Sequence, residues 1–331
     1  MATEIRTDPI TGRLVAVDIG GPATRHDFEL IPASVGDVAG ACPLCEGHEL
    51  QAGSEILAWR DSTAANGPGW AMRVVANRSA MLRIEHGLDV RTDGPFESRE
   101  GLGAHEVIVE TPQHDRPLHT LDAEQVRRVF WAWRSRLQDL KRDRRFLSAV
   151  VFKNYGRAAG ARLDHAHSQL VAFPAIPPVL ADELSGAARH FSTTGRCIFC
   201  DVLQHERQDG RRMILDKGAV CAMAPFASRV PFESWILPTE HAARFEDASD
   251  AALEALAGTF KAVMARIDWA LERPASNVVL HTAPFGGEFD RAFHWHLEIL
   301  PRVTRYGGLE WGSGVHRNPV APEDAAAALR G

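Results

Sequence analysis

Residues 164–173 read DHAHSQLVAF. Two imidazoles, His165 and His167, stand two apart, and Gln169 follows in the same phase. In a strand alternate side chains share a face, so these three would line one side and Ala166 and Ser168 the other. The same spacing also suits the polar face of an edge strand, so the rest of the chain has to decide. The cysteines bear on it first. Cys42 and Cys45 form one C-x-x-C pair, CPLC; Cys197 and Cys200 form another, CIFC; Cys221 stands alone. Two such pairs and an odd total point to metal ligation rather than a disulfide framework when histidines are at hand. Pro43 and Gly47 make the first pair read as a tight turn.

The potential ligands recur in one order. CPLC is followed by HEVIVETPQH, ending at His114, and then by HAH at 165–167. CIFC is followed by FESWILPTEH, ending at His241, and then by HWH at 294–296. The interval from His114 to His165 nearly equals that from His241 to His294. Zinc takes four thiolate or imidazole ligands. The expected first set is Cys42, Cys45, His114 and His165, and the second is Cys197, Cys200, His241 and His294. Both are closed, so both Zn2+ sites are expected to be structural.

That leaves His167 without metal duty on a strand a metal would pin. A pinned imidazole can serve as nucleophile or general base. The preceding KNYGRAAGARL brings Gly156 and Gly160, which permit close backbone approach, with Lys153, Arg157 and Arg162. Backbone N–H groups in such a loop can hold phosphate oxygens. An imidazole aimed at phosphorus points to nucleotidyl transfer through a histidine adduct, with Gln169 donating a hydrogen bond to the transferring phosphoryl group.

The elements that must position these residues repeat as well. LDAEQVRRVFWAWRSRLQDLKRD has Asp122 as N-cap and apolar residues at helical spacing, and SDAALEALAGTFKAVMARIDWALE does the same from Ser249 or Asp250. Each helix precedes a β-rich run, FLSAVVFKNYG or SNVVLHTAPFG. The expectation is α+β, with mainly antiparallel sheets and one long helix in each half. The halves are expected at 1–183 and 184–331, joined through the proline-rich FPAIPPVLADELSG. Cys221 reads as core, and Trp131, Trp133 and Trp269 as packing residues. His48, His86, His119, His190 and His205 read as surface. His105 either touches the site or marks a strand edge.

Length and charge narrow the classes. The chain has 331 residues, 45% apolar, with a net charge of −6. That charge argues against a general polyanion surface and hence against nucleic acid. No apolar run is long enough to span a bilayer, and the N-terminal residues lack a signal pattern. A cytoplasmic protein without membrane contact is expected.

These residues resemble the galactose-1-phosphate uridylyltransferase family of the histidine-triad superfamily. RTDPITGRLV, CPLC, MRVVAN, HEVIVETPQH, VFKNYG, HAHSQ, FHWHLEILPR and GGLEWGSG follow in the family's order across almost the whole chain. CIFC, APFASRVPFESWILPTEH and NPVAPEDAAAALR look closest to the ADP-glucose phosphorylase-like subgroup.

The resemblance implies a duplicated histidine-triad-like domain and a ping-pong reaction in carbohydrate metabolism. His167 would attack the α-phosphorus of a nucleotide sugar, a sugar 1-phosphate would leave, and an acceptor would collect the nucleotidyl group. With galactose 1-phosphate as acceptor the enzyme is a UDP-glucose–hexose-1-phosphate uridylyltransferase of galactose metabolism, the foremost reading. With inorganic phosphate it is an ADP-glucose-type phosphorylase. A nucleotide-binding zinc scaffold without activity is the third reading.

Asn77 and Asn154 fall on family asparagines near the nucleotide, beside Gly160 and Arg162 as phosphate contacts. Glu310 falls on a family glutamate near the sugar, and His316 stands where galactose-specific members carry glutamine. Arg162 replaces a serine, Ala166 a proline, and Arg25-His26 an Arg-Pro pair. Some members hold the second metal with a glutamate and three histidines, which Glu183, His281, His294 and His296 could supply; the cysteine set is preferred here. His296 then answers to His167, with Leu297-Glu298 replacing Ser168-Gln169, so one half is expected to be active and the other structural. Family members often dimerise, with the C-terminal segment completing a neighbour's site, so a homodimer is expected as an option.

Overall fold

The computed structural model describes residues 2–21, 28, 33–36, 40 and 42–331. Arg25 and His26 lie outside them.

Fifteen strands and six α-helices are seen among the described residues. The strands are β1 (Ala2–Thr7), β2 (Leu14–Ile19), β3 (Glu55–Arg60), β4 (Trp70–Ala76), β5 (Val90–Asp93), β6 (Phe96–Arg99), β7 (Ala104–Val109), β8 (Ser148–Tyr155), β9 (His167–Phe173), β10 (Met213–Lys217), β11 (Val220–Met223), β12 (Ser234–Pro238), β13 (Ser276–His281), β14 (His296–Pro301) and β15 (His316–Asn318). The helices are α1 (Ala123–Leu140), α2 (Pro178–Thr194), α3 (Ile198–Asp209), α4 (Asp250–Leu271), α5 (Gly308–Ser313) and α6 (Pro322–Arg330).

Ten strands form one antiparallel sheet in the order β10-β11-β12-β14-β13-β8-β9-β7-β4-β3. Read outward from the central β13–β8 pair, the two sides match: β13-β14-β12-β11-β10 against β8-β9-β7-β4-β3. Each side also runs through its strands in the same chain order, with α1 and α4 at corresponding places. The join is a ladder in which Asn277 opposes Asn154 and Val279 opposes Phe152. The fold is thus α+β and mainly antiparallel, as expected from the sequence. A separate three-stranded sheet, β1-β2-β15, gathers strands from both ends of the described chain.

The two long helices pack on one face. Asp122 caps α1 by accepting from the Gln125 N–H, and Ser249 caps α4 by accepting from Ala252. Their apolar stripes meet through Phe130 and Phe260, with ring centroids 5.6 Å apart. Beneath them the sheet contributes Ile108, Val151, Leu170, Val278, Leu280 and Leu297 to the same core. Burying one aromatic such as Phe130 is worth roughly 4–6 kcal/mol before ordering entropy is subtracted. Because side chains alternate across a strand, the opposite face carries Phe152 and Asn154, His167 and Gln169. Trp133 of α1 reaches through the core to donate to Ser168 Oγ at 2.8 Å, which fixes β9 from behind.

The sequence reading differs from the structure in several places. The expected division at 183/184 falls inside α2. CIFC opens a helix that the sequence reading did not place: Cys197 is the N-cap of α3 and Cys200 lies in its first turn. His119, expected at the surface, is buried and bonded to Asp268 at 2.7 Å, because its short 3-10 turn is seated on α4. Trp269 projects outward, 74% exposed, while Trp133 and Cys221 are buried.

Candidate active site and metal centres

Cys42, Cys45, His114 and His165 converge with all their ligand atoms within 4.8 Å of one another, all four buried. Cys45 Sγ lies 3.3 Å from His114 Nδ1 and 3.4 Å from His165 Nδ1, and Cys42 Sγ lies 3.8 Å from His165 Nδ1. Ligand atoms around a tetrahedral zinc at about 2.0–2.3 Å stand roughly 3.4–3.8 Å apart, so the spacing fits. His165 turns its other nitrogen, Nε2, to the Thr111 carbonyl at 2.7 Å, which sets the ring with Nδ1 free to ligate. Burial pushes His165 down to about 4, which keeps that nitrogen unprotonated.

Cys197, Cys200, His241 and His294 form a second group of the same kind. Cys200 Sγ is 3.4 Å from His241 Nδ1 and 3.5 Å from His294 Nδ1. Again each imidazole spends Nε2 on a carbonyl, His294 on Pro238 and His241 on Asp290. A hydrogen bond from Cys200 holds the Cys197 thiol far below its usual range. This group is less enclosed, with Cys200 half-buried and His241 exposed.

A third group comprises Glu183, His281, His296 and Glu298. His294 is not part of it, since its Nδ1 faces Cys200. The donors here are already engaged. Glu183 accepts from His281 Nδ1 at 2.8 Å, and Arg229 Nη2 bonds Glu298 at 2.5 Å and Glu233 at 2.8 Å. Burial would lower His281, but Glu183 and Glu298 together raise it to about 9. The Arg229 guanidinium and the His281 imidazole thus partner the two carboxylates.

Six of the eight non-metal candidates line one cleft of about 520 Å³: Asn77, Asn154, Gly160, Arg162, His167 and Gln169. His167 donates from Nδ1 to the His165 carbonyl at 2.8 Å, so Nε2 keeps the lone pair. Burial first, and then the Lys153 charge, lower its pKa to about 4. Lys153 itself lies on the helix-facing side of β8. There it bonds Glu110 at 2.7 Å and the His167 carbonyl at 3.0 Å. Gly156 and Gly160 both adopt left-handed backbone, φ 84° and 86°, and turn the chain from β8 back toward β9. Asp164 gathers the neighbouring loop by accepting from Ser34 Oγ and the Val35 and Gly36 N–H groups.

Glu310 and His316 are not brought into that cleft. Glu310 sits on the exposed α5, and His316 pairs with Val15 between β15 and β2. Sequence reasoning did not settle one wall residue, His105. It lines the cleft and bonds Gln169 Oε1 through Nε2 at 2.9 Å. Its phase with Val107 was visible in HEVIVE; its partner strand was not.

In the second half a cavity of about 310 Å³ lies on the same face beside His281 and Glu298, but His296 does not line it. Val107 opposes Gln169 in the β7–β9 ladder, and Trp235 opposes Glu298 in the β12–β14 ladder. The Trp235 indole stacks on His296, and Phe199 covers it at 5.1 Å, leaving the imidazole with no exposure.

Fold and site together define a two-half antiparallel α+β protein with a histidine on the floor of a largely apolar cleft that carries a few convergent polar side chains. Residues 76–177 match the family model described as galactose-1-phosphate uridyl transferase, N-terminal domain. An ADP-glucose phosphorylase of Arabidopsis thaliana is 30% identical over 99% of this chain and 92% of its own length. A galactose-1-phosphate uridylyltransferase of Thermotoga maritima is 29% identical over 72% of this chain and 76% of its own. The crystal structure of an Arabidopsis thaliana ADP-glucose phosphorylase with bound ADP-glucose superposes with a TM-score of 0.84, at 30% identity, covering 100% of this chain and 98% of that one. The chain belongs to the galactose-1-phosphate uridylyltransferase family.

Proposed function

We propose that this protein is a nucleotidyltransferase acting on nucleotide hexoses through a nucleotidyl-His167 intermediate. The observation that carries the reading is the His167 ring. Its Nδ1–H is spent on the His165 carbonyl, which leaves Nε2 as a nucleophile at the cleft floor. In the first step Nε2 attacks the α-phosphorus, the N–P bond forms, and the bond from phosphorus to the bridging oxygen breaks. Sugar 1-phosphate departs with that oxygen. In the second step a phosphate oxygen of the acceptor attacks the same phosphorus and the N–P bond breaks, restoring His167.

Gln169 donates to the transferring phosphoryl group. Asn77, Asn154, the Gly160 turn and Arg162 hold the nucleotide phosphates. The two Cys-Cys-His-His groups suit Zn2+, which when bound would tie the Cys42–Cys45 turn and the start of α3 to the segments leading into β9 and β14, so that His165 is anchored two residues before the nucleophile. Catalysis belongs to the half that carries His167 in this reading, and the other half is structural and substrate-completing. Glu310 and His316, absent from the cleft of their own chain, would serve the hexose in the cleft of a second copy, which makes a homodimer the working unit. Five free cysteines suit a reducing compartment such as the cytoplasm. Among the described residues no helix is long and apolar enough to cross a membrane.

Two acceptors remain to be separated. Likeness along nearly the whole chain to ADP-glucose phosphorylase supports inorganic phosphate, with adenosine as the base. The matched family model and the Thermotoga maritima relative support galactose 1-phosphate, with uridine as the base. The test is a matrix of UDP-glucose or ADP-glucose against galactose 1-phosphate or phosphate. One fast combination identifies the enzyme; no turnover and no adduct in any combination leaves the scaffold reading.

A further inference from the structure

Four side-chain amides line the cleft, those of Gln51, Asn77, Asn154 and Gln169, and for the last three the surrounding hydrogen bonds favour one end pointing inward. For Asn77 the oxygen is taken by the Ser79 N–H at 2.9 Å. For Asn154 the oxygen accepts from Asn277 Nδ2 at 2.8 Å. Asn277 cannot be turned round, because the same nitrogen donates to the Ala159 carbonyl at 2.8 Å. For Gln169 the partner is His105, whose Nδ1 accepts from the Met81 N–H at 3.2 Å. A ring that accepts at Nδ1 carries its hydrogen on Nε2. Nε2 has two polar neighbours at 2.9 Å, Gln169 Oε1 and Asn77 Nδ2. With Nδ1 accepting from the fixed Met81 N–H, the Nε2 hydrogen goes to Gln169 Oε1, and the Asn77 amide stands beside it as a second donor. Gln169 Nε2 makes no hydrogen bond to protein among the described residues.

We infer that His105 and Asn277 are positioning residues that fix the orientation of Gln169 and Asn154, so that these two side chains present amide N–H groups rather than amide oxygens to the ligand of the cleft. An amide that could rotate would offer oxygen or nitrogen with similar ease, and an oxygen would repel a phosphoryl group. Locking the flip removes that alternative before substrate arrives, which is preorganisation of donors toward developing negative charge. The ligand class this selects is a phosphate diester or anhydride with unprotonated oxygens. The second half shows the contrast. Two residues before Trp235, Glu233 binds Arg229, which in turn binds Glu298 in the place of Gln169. There the same strands hold a closed ion-pair chain instead of an oriented donor. Asn277 also comes from the second half, so the inactive side orients a residue of the active side across the β8–β13 ladder.

The inference rests on the proposed nucleotidyl transfer and predicts a split between rate and binding. His105→Phe keeps the ring volume and removes the bond. Adduct formation should slow by about 10–100-fold, with nucleotide affinity little changed. His105→Gln can accept from Met81 and donate to Gln169, so it should recover most of the rate. His105→Glu offers only acceptors, draws the Gln169 nitrogen away from the cleft and should be slower than His105→Phe. Asn277→Leu should instead weaken binding of the nucleoside monophosphate. In a Gln169→Leu background His105→Phe should cost nothing further. Multiplying losses, or a Gln variant no better than Phe, would overturn the inference. Nitrogen-15 NMR of the His105 ring gives a readout independent of turnover: Nε2–H is expected, and a hydrogen on Nδ1 would refute the orientation even if no nucleotide sugar proved to be a substrate.

Discussion

His296 lies stacked against Trp235, their ring centroids 4.7 Å apart and their planes inclined by 29°. The corresponding neighbour of His167 on the adjacent strand is Val107, which leaves that imidazole open to a cleft. Trp235 on β12, together with Phe199, therefore seals a histidine whose counterpart beside Val107 on β7 can meet a substrate.

The first prediction follows from that contrast. His296→Gln should leave the rate of nucleotidyl transfer within a few-fold of wild type while lowering the thermal midpoint, because a wholly buried side chain is disturbed. A rate loss comparable to that of His167→Ala, at unchanged metal content, would show that the second half takes part in the chemistry.

Unequal enclosure of the two metal groups sets the second. A strong chelator monitored by a colorimetric zinc indicator should remove one equivalent quickly, from the group containing half-buried Cys200 and exposed His241, and one slowly. Cys200→Ser should abolish the fast phase only. Cys42→Ser should lose the other equivalent together with stability, since structural zinc binding is coupled to folding. Equal release from both would contradict the structural difference.

The buried pair beneath the nucleophile gives the third. Lys153 and Glu110 are both buried, and Lys153 also holds the His167 carbonyl. Lys153→Met strands Glu110 and should cost about 3–5 kcal/mol in urea unfolding. Adding Glu110→Gln should recover part of that loss. The corresponding position in the second half is Leu280, so an apolar residue can be packed there.

The fourth concerns pH. Burial alone would lower His281, yet Glu183 and Glu298 raise it to about 9 from an unfolded value near 6.5. The folded state then binds the proton more tightly than the unfolded chain. The stabilisation is full below pH 6.5, shrinks as pH rises, and is gone above about 9; its size is on the order of 3 kcal/mol. Thermal melts from pH 6 to 9.5 should show wild type losing more stability across that window than His281→Gln. Parallel curves would mean that the imidazole is not charged in the fold.

Much of this arrangement can be read in the chain. The repeated C-x-x-C, His and H-x-H order names the eight residues that the structure gathers into two groups, and the helical phase of Phe130, Trp133 and Val263 marks the faces α1 and α4 bury. Period two places His167 and Gln169 on one face. It does not say which strand lies beside them, because alternation gives a side chain's face and not its ladder partner. That is why His105 stayed ambiguous, and why Trp235 could not be recognised as the residue that seals His296. The helical start of CIFC was also hidden, since a C-x-x-C pair fits a turn or a first helical turn equally well. Glu310 and His316 lie on elements whose place in the fold depends on β15 joining β2 from the far end of the chain.

Mass spectrometry of protein quenched within the first turnover tests the central claim most directly. Incubation with radiolabelled UDP-glucose or ADP-glucose, without an acceptor, should give an acid-labile nucleotidyl adduct that maps to His167 and is absent from a zinc-replete, folded His167→Ala protein. An adduct on His296, or normal turnover by His167→Ala, would contradict it.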